Sequence, residues 1–408
     1  MSRKNLDLRE AIAFVRMGAP LTAIEGVPLA QAFGRVLAEP IDASRDQPPF
    51  RASAMDGYAV RRADITAGSI LPVVGESAAG RRYPDILEPG QAVRIFTGAP
   101  VPDGADAIVI QETTRAADGR VELLPDSVAT PGHIRQAGQD FTAGTRLLDA
   151  GVRLDAWRLS LVAAAGLAEV AVRAKPRVAV LCTGDELVPP GGTPAPDQIY
   201  ESGSAAVMAL ITQWGGEAAF IGTEADDVDA LQATLAAVDA DLIVTIGGAS
   251  VGDHDLVRPA LMRLGLVSDF VSLNLRPGKP TAFGILDSGA HVLGIPGNPA
   301  SAFVVAQLLL KPWIEATLGL RIGGLPATDP FVKAVTATAI PANGPRESYL
   351  RAALDVMEDG RLRVTPFSDQ DSSLVSVFAR AGALVRLASN AAVTQAGSLV
   401  DILRLERL

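Results

Sequence analysis

Three short polar segments hold the residues whose types and spacing could do chemistry. They are Thr183-Gly184-Asp185-Glu186, Gly247-Gly248-Ala249-Ser250-Val251-Gly252-Asp253-His254-Asp255, and Pro296-Gly297-Asn298-Pro299-Ala300-Ser301. Each follows an apolar run of strand type. In an open α/β sheet such loops lie along the carboxyl edge of the strands, where ligands bind. Asn298 is a good N-cap and Pro299 suits the first helical position. Free N–H groups there, with the positive helix end, favour an anion such as phosphate. A simple capped turn accounts for the same residues. Gly248, Ser250 and Gly252 permit close backbone approach to a ligand, or a turn that needs left-handed angles.

The acids Asp185, Glu186, Asp226 and Asp255 offer oxygen ligands to Mg²⁺, a hard cation that often bridges to phosphates. Singly, each reads first as a helix cap or a solvated acid. Between the second and third loops stands Arg276-Pro277-Gly278-Lys279-Pro280. Two prolines stiffen it and hold two cations three residues apart, which suits phosphate or another oxyanion. The histidines are His133, His254 and His291. None has a partner at metal-ligand spacing, and no Cys/His cluster offers a zinc site. His254 lies in a candidate loop, but without a G-x-S-x-G elbow a hydrolase triad is unsupported. Cys182 ends a buried strand and reads as a small core residue. No P-loop and no well-placed dinucleotide loop occurs.

The elements that must hold these loops read as strands and helices in alternation. RVAVLCT (177–183) and DLIVTIGG (241–248) are apolar runs of strands buried on both faces. GSAAVMALITQW (203–214), VDALQATLAAV (228–238) and DLVRPALMRLG (255–265) carry helical spacing. EAAFIG, AFGIL and HVLGIPG add strands, and SAFVVAQLLL a last helix. This predicts a doubly wound parallel sheet over 176–322, the domain with the anionic ligand site. Upstream, 6–17 reads as an amphipathic helix, 27–37 as a weaker one and 154–168 as another. Residues 1–50 and 141–175 form a helical and linker domain, interrupted at 51–140 by a β-rich insert of short runs and turn dipeptides. The segment 319–330 reads as a linker. Alternating short strands over 323–408 indicate a small β-barrel. The fold class is thus α/β plus all-β domains.

Composition narrows the function. The chain has 408 residues, 48% hydrophobic and 20% charged, with a formal net charge of -10. That is globular composition, and its acidity argues against nucleic acid or acidic lipid as partner. Residues 301–310, the most apolar stretch, are too short to span a bilayer. A single cysteine excludes an internal disulfide, and the start shows no signal-peptide pattern. A cytoplasmic location is expected.

At this point the residues resemble a known family. TGDEL (183–187), GGASVGDHD (247–255), RPGKP (276–280) and IPGNPASAF (295–303) look like motifs of the molybdopterin molybdenumtransferases. This is the MoeA family, which includes the E domain of gephyrin. The resemblance continues in SAMDGYAVR (53–61), IFTGAPVP (95–102), AGQDFTAG (137–144), RESYLRA (346–352) and QDSSLVSVFARA (370–381). Several long motifs in the same order are far more specific than any one glycine loop.

The resemblance implies a four-domain protomer in an elongated homodimer, with a cleft between one protomer's α/β domain and the other's β insert. It implies transfer of molybdate into adenylylated molybdopterin, release of AMP and molybdenum cofactor, and assistance by Mg²⁺. Further partners would be other cofactor-biosynthesis proteins or apo-molybdoenzymes. Asp56 and Thr97 would belong to the partner-facing side. Glu186, Asp226 and Asp255 would form the acidic, metal-linked side. Arg276, Lys279, Arg346, Arg351 and Ser372, beside the loop Pro296-Gly297-Asn298, would cradle the oxyanion. The chain departs from the family pattern at Arg276, where lysine is usual, and at Ser272, Gly203, Gln139 and Asp371. A carboxylate at 371 would repel an oxyanion unless it faced away or paired with an arginine. The alternatives are a non-catalytic cofactor carrier or scaffold of the same fold, and the preceding adenylyl transferase, which the extra domains disfavour.

Overall fold

The structure, a computed structural model, describes residues 3–128, 133–224, 227–248, 256–322, 325–326 and 330–405. The first helix is Leu8–Gly18, capped by Asp7, whose carboxylate accepts from the Arg9 N–H at 2.8 Å. Its buried Leu8, Ala11 and Val15 lie on one face, as helical spacing requires. The helix expected over 27–37 does not form. Ile24–Pro28 is a strand paired antiparallel with Glu169–Arg173, followed by a single 3₁₀ turn at Leu29–Gln31. Pro28 lacks an N–H and Gly34 sits at φ +74°, so the pattern is interrupted at both ends. The helix expected over 154–168 is the shorter Ala156–Ala164.

The β insert is a six-stranded sheet in the order Ala107–Ile110, Gly57–Val60, Ala92–Ile95, Ile70–Ser77, Arg120–Leu123, Thr114–Ala117. Tyr58, Val60, Val109 and Val121 fill one cluster and Ala59, Val93, Ile95 and Ile108 another. Gly57 is required there, because a Cβ would lie 1.9 Å from the Val109 carbonyl oxygen.

The α/β sheet runs Glu217–Glu224, Arg177–Thr183, Leu242–Ile246, His291–Ile295, Ala282–Ile285, Val267–Phe270. The first four strands are parallel. The last two are antiparallel additions, so the sheet is mixed at that edge. The physical reason is the link between Ile285 and His291. It closes with Leu286 and Ala290 bonded across a turn at Gly289, and no crossover helix fits in so short a span. Alternate residues of the central strands bury on opposite faces. Val178, Val180 and Cys182 pack toward helices Gly203–Trp214 and Pro299–Val305, while Ala179 and Leu181 pack toward Val228–Ala236 and Val257–Arg263.

Arg321–Ile322 pairs with Leu325–Pro326 as a short ribbon within the segment read as a linker. Five strands then close a barrel: Glu347–Val356, Leu362–Pro366, Phe331–Thr336, Leu399–Arg404 and Ala383–Leu387. A short strand of the α/β domain, Leu275–Arg276, adds to it in parallel, with Arg276 opposite Ser348. That pairing fixes the Arg276-to-Pro280 loop against the barrel. No helix of the described residues is long and apolar enough to cross a membrane.

Candidate functional site

The junction of the α/β domain and the barrel encloses a cavity of about 800 Å³. Arg276, Lys279, Ser301, Arg346, Arg351 and Ser372 all line it. Strand pairing places Arg276. Gly278 at φ +113° turns the chain so that Lys279 follows on the same rim, and Thr281 donates to the Gly278 carbonyl at 2.7 Å. Arg346 Nη1 is 3.5 Å from the Leu275 carbonyl oxygen.

Arg351 is the exceptional member. It lies on the barrel strand Glu347–Val356 and is only 1% exposed. Its Nη2 donates to the Asp371 carbonyl at 2.9 Å. Its buried Nε has no hydrogen-bond partner. A buried charged donor without an acceptor is costly, on the order of 1–3 kcal/mol or more. Burial pushes the guanidinium below its ordinary pKa, against the charges of Asp369 and Asp371, which raise it. Gln370 clamps the same residue: its Oε1 accepts from the Arg351 N–H and its Nε2 donates to the Arg351 carbonyl, both at 2.9 Å. Sequence reasoning did not single out Gln370 or Ser301, although both stand inside quoted motifs.

Asn298 occupies the N-cap position, but its side chain does not cap. Its Nδ2 instead donates to Ser372 Oγ at 3.1 Å, and the Ala300 N–H donates to the Ser372 carbonyl at 3.0 Å. The barrel loop thus satisfies part of the helix start that the sequence offered to an anion. Pro296 and Gly297 bring this loop against the second one. A Cβ on Gly297 would sit 3.4 Å from the Gly247 Cα. Gly247 and Gly248 hold φ +91° and +59°, and a Cβ on Gly248 would meet Val257 at 2.3 Å. Gly248 lines a separate, small apolar hollow beneath helix Val257–Arg263. Ser250, Gly252, His254 and Asp255 lie outside the described residues, as does Asp226.

Asp371 does not pair with Arg351 through its carboxylate. Its Oδ1 accepts from the Ser373 N–H at 2.9 Å and the Ser373 hydroxyl at 2.6 Å. Those bonds, the hydroxyl first, hold the Asp371 carboxyl below its usual range, with Arg351 a lesser contributor. Ser272 Oγ accepts from the Asn5 N–H at 2.8 Å and so ties down the N-terminal segment. Glu186 is exposed just beyond strand Arg177–Thr183, with Gly184 leaving room for its carboxylate. Its carboxylate is donor chemistry that suits a hard cation. Among the described residues no group of three or more His, Cys, Asp or Glu is placed to hold a metal ion. Cys182 is buried, 3.4 Å from Glu201 Oε1, and burial raises its thiol far above the ordinary value, which disfavours the reactive thiolate.

Asp56 and Thr97 form a pair on the β insert. Asp56 Oδ1 accepts from the Thr97 N–H at 2.7 Å and from its hydroxyl at 2.9 Å. The Thr97 N–H, then its hydroxyl, hold the Asp56 carboxyl low. Antiparallel pairing of Gly57 with Ile95 brings the two loops together. Neither residue is among those lining the cavity.

Fold and site together define a multi-domain α/β protein with a cationic cavity between its central domain and a C-terminal barrel. Comparison with known proteins gives matches along most of the chain. The chain matches the MoeA N-terminal region (domains I and II) over residues 6–166. It matches a "Probable molybdopterin binding domain" over 179–316 and the MoeA C-terminal region (domain IV) over 333–405. A molybdopterin molybdenumtransferase of Nostoc sp. is 38% identical over 344 residues, 82% of this chain and 78% of that one. One from Haemophilus influenzae is 34% identical over 385 residues, 93% of this chain and 94% of the other. The crystal structure of a molybdopterin biosynthesis MoeA protein from Pyrococcus horikoshii superposes with TM-score 0.82 at 29% identity, covering 99% of this chain and 100% of that one. The chain belongs to the MoeA family of molybdopterin molybdenumtransferases.

Proposed function

We propose that this chain is a molybdenum insertase of molybdenum cofactor biosynthesis, transferring molybdate into adenylylated molybdopterin with release of AMP. The observation that carries the reading is Arg351, a buried guanidinium with an unpartnered Nε on the wall of a cationic cavity. Such a group is stabilised by an anion that enters beside it, and its fixed donors match a tetrahedral oxyanion. Arg276, Lys279 and Arg346 add charge around the same space, and Ser301 and Ser372 add hydroxyls. The relatives' names, molybdopterin molybdenumtransferase, support molybdenum as the element transferred and a molybdopterin as its acceptor.

Mg²⁺, when bound, would neutralise charge on the phosphoanhydride. Glu186, with Asp226 and Asp255, would hold it. Asp56 and Thr97 would act from the other side of the cleft, supplied by the second protomer of a homodimer. The Asp56 carboxylate, kept ionised by Thr97, would orient a ligand through the oxygen that Thr97 does not use. A cytoplasmic setting fits this chemistry.

The test is turnover with purified protein, adenylylated molybdopterin, molybdate and Mg²⁺, following AMP and the mature cofactor. Molybdate-dependent AMP release supports the reading. Binding of the adenylylated pterin without AMP release at any molybdate concentration would overturn it in favour of a carrier.

A further inference from the structure

We infer that Arg94 is a positioning residue for the Asp56–Thr97 pair, acting through the two loops that carry it. This rests on the proposed role of Asp56 in the reaction. Arg94 belongs to strand Ala92–Ile95. Its guanidinium carbon lies 5.1 Å from the ring centroid of Tyr58 and 4.8 Å from that of Phe96. Its Nη1 donates to the Gly57 carbonyl at 3.0 Å and its Nη2 to Gln111 Oε1 at 2.8 Å. Three of these four partners adjoin the pair. Gly57 follows Asp56, and Phe96 precedes Thr97. The Gln111 N–H donates to the Asp56 carbonyl at 3.1 Å.

One guanidinium on strand Ala92–Ile95 therefore ties strand Gly57–Val60 and the 3₁₀ turn after Ala107–Ile110 at the point where the pair is made. An arginine with only a solubility role would keep its head in water. This one commits its planar fork to two neutral acceptors and two aromatic faces. With that brace in place, Asp56 Oδ1 takes both Thr97 donors, and Oδ2 keeps a fixed direction. Sub-ångström placement of such a group is what an oriented reaction needs.

The experiment is a double-mutant cycle on the full-length protein, reading kcat and KM for AMP release. Arg94→Met keeps the stem and removes the charge and donors. It is expected to lower kcat roughly ten- to hundredfold with KM for molybdate little changed. In an Asp56→Asn background the same change should have little further effect, because its influence runs through Asp56. Arg94→Lys keeps a cation over the rings but cannot reach both acceptors. It should restore part of kcat at a wild-type melting temperature, which guards against a folding defect in Arg94→Met. Additive losses in the cycle would overturn the positioning role while leaving Asp56 in the mechanism. Normal turnover by Asp56→Asn would overturn the role of Asp56 itself, and the inference with it.

Discussion

Arg351 donates to the main-chain oxygen of Asp371 at 2.9 Å, while the Asp371 carboxylate is engaged by Ser373. Two opposite charges stand near each other in the same wall without forming an ion pair. Asp371 is exposed and Arg351 is buried, so a pair would have to drag the carboxylate out of water. The arginine is left charged, desolvated and incompletely bonded, facing a cavity large enough for a small ligand.

Replacing Arg351 therefore separates binding from stability. Arg351→Met removes a charge-assisted donor worth about 1.5–3 kcal/mol, so the molybdate concentration for half-maximal insertion should rise about ten- to hundredfold. The melting temperature should hold or rise, since an unpaired buried charge is exchanged for an apolar stem. Binding of adenylylated molybdopterin should be nearly unchanged. A lower melting temperature with an unaltered molybdate response would make Arg351 a structural residue of the barrel.

Asp371 is the opposing charge on the cavity wall. Its hydrogen bonds from Ser373, the hydroxyl first, hold its carboxyl below the usual carboxylate range, which favours the charged form. Asp371→Asn keeps the Ser373 contacts and removes the charge. Half-saturation by molybdate should fall about two- to fivefold, the scale of an exposed charge effect, and the difference should shrink in high salt. A molybdate titration at two ionic strengths checks both parts, and an increase in half-saturation would contradict them.

His291 gives a pH signature of the fold. Its Nδ1 accepts from Trp313 Nε1–H at 3.0 Å, and burial lowers its pKa, partly opposed by Asp269. A histidine whose folded pKa lies below its unfolded value favours folding when neutral. That contribution is present above the unfolded pKa of about 6.5 and is lost as pH falls through the window below it. The melting temperature should therefore decline between pH 7.5 and about pH 5.5. Asp269, raised by burial, works in the opposite sense at lower pH. His291→Gln should flatten the decline; an unchanged slope would assign it to other groups.

The α/β domain was legible because strands buried on both faces leave unbroken apolar runs such as Arg177–Thr183 and Leu242–Ile246. Its antiparallel edge was not, since the strand signal at Ala282–Ile285 carries no direction; the short turn before His291 does. Residues 27–37 kept a helical rhythm of apolar positions, but Pro28 and Gly34 overrode it. At the site, Arg276 and Lys279 could be read from the stiff loop between them. Arg351 came from the family resemblance alone, because nothing local marks it as buried. Gln370 and Arg94 were missed for the same reason: an amide that clamps a backbone and a guanidinium laid on two rings acquire their roles only through tertiary pairing. Asn298 misled, as a good cap residue whose side chain is taken by Ser372.

The last relationship to test is the separation of Asp56 and Thr97 from the cavity. The two residues sit on the β insert, and the cavity wall is built from the α/β domain and barrel. If one reaction needs both, a second protomer brings its insert to the first protomer's cavity. The protein should then be a symmetric homodimer, and light scattering at micromolar concentration should give twice the mass of the 42.3 kDa chain. Mass alone does not show that the site is shared, but complementation does. Asp56→Asn and Arg351→Met homodimers should each be weak in insertion at low molybdate. Co-expressed as differently tagged chains, half of the dimers would be mixed. In a shared-site dimer, each mixed molecule carries one site with both defects and one with neither. The pooled sample should regain about a quarter of the wild-type rate, and the mixed dimers purified through both tags about half. If each site were built within one chain, every site in the mixed dimers would carry one defect. No recovery above the parent variants would then be seen, and that result would return Asp56 and Thr97 to a role within their own protomer.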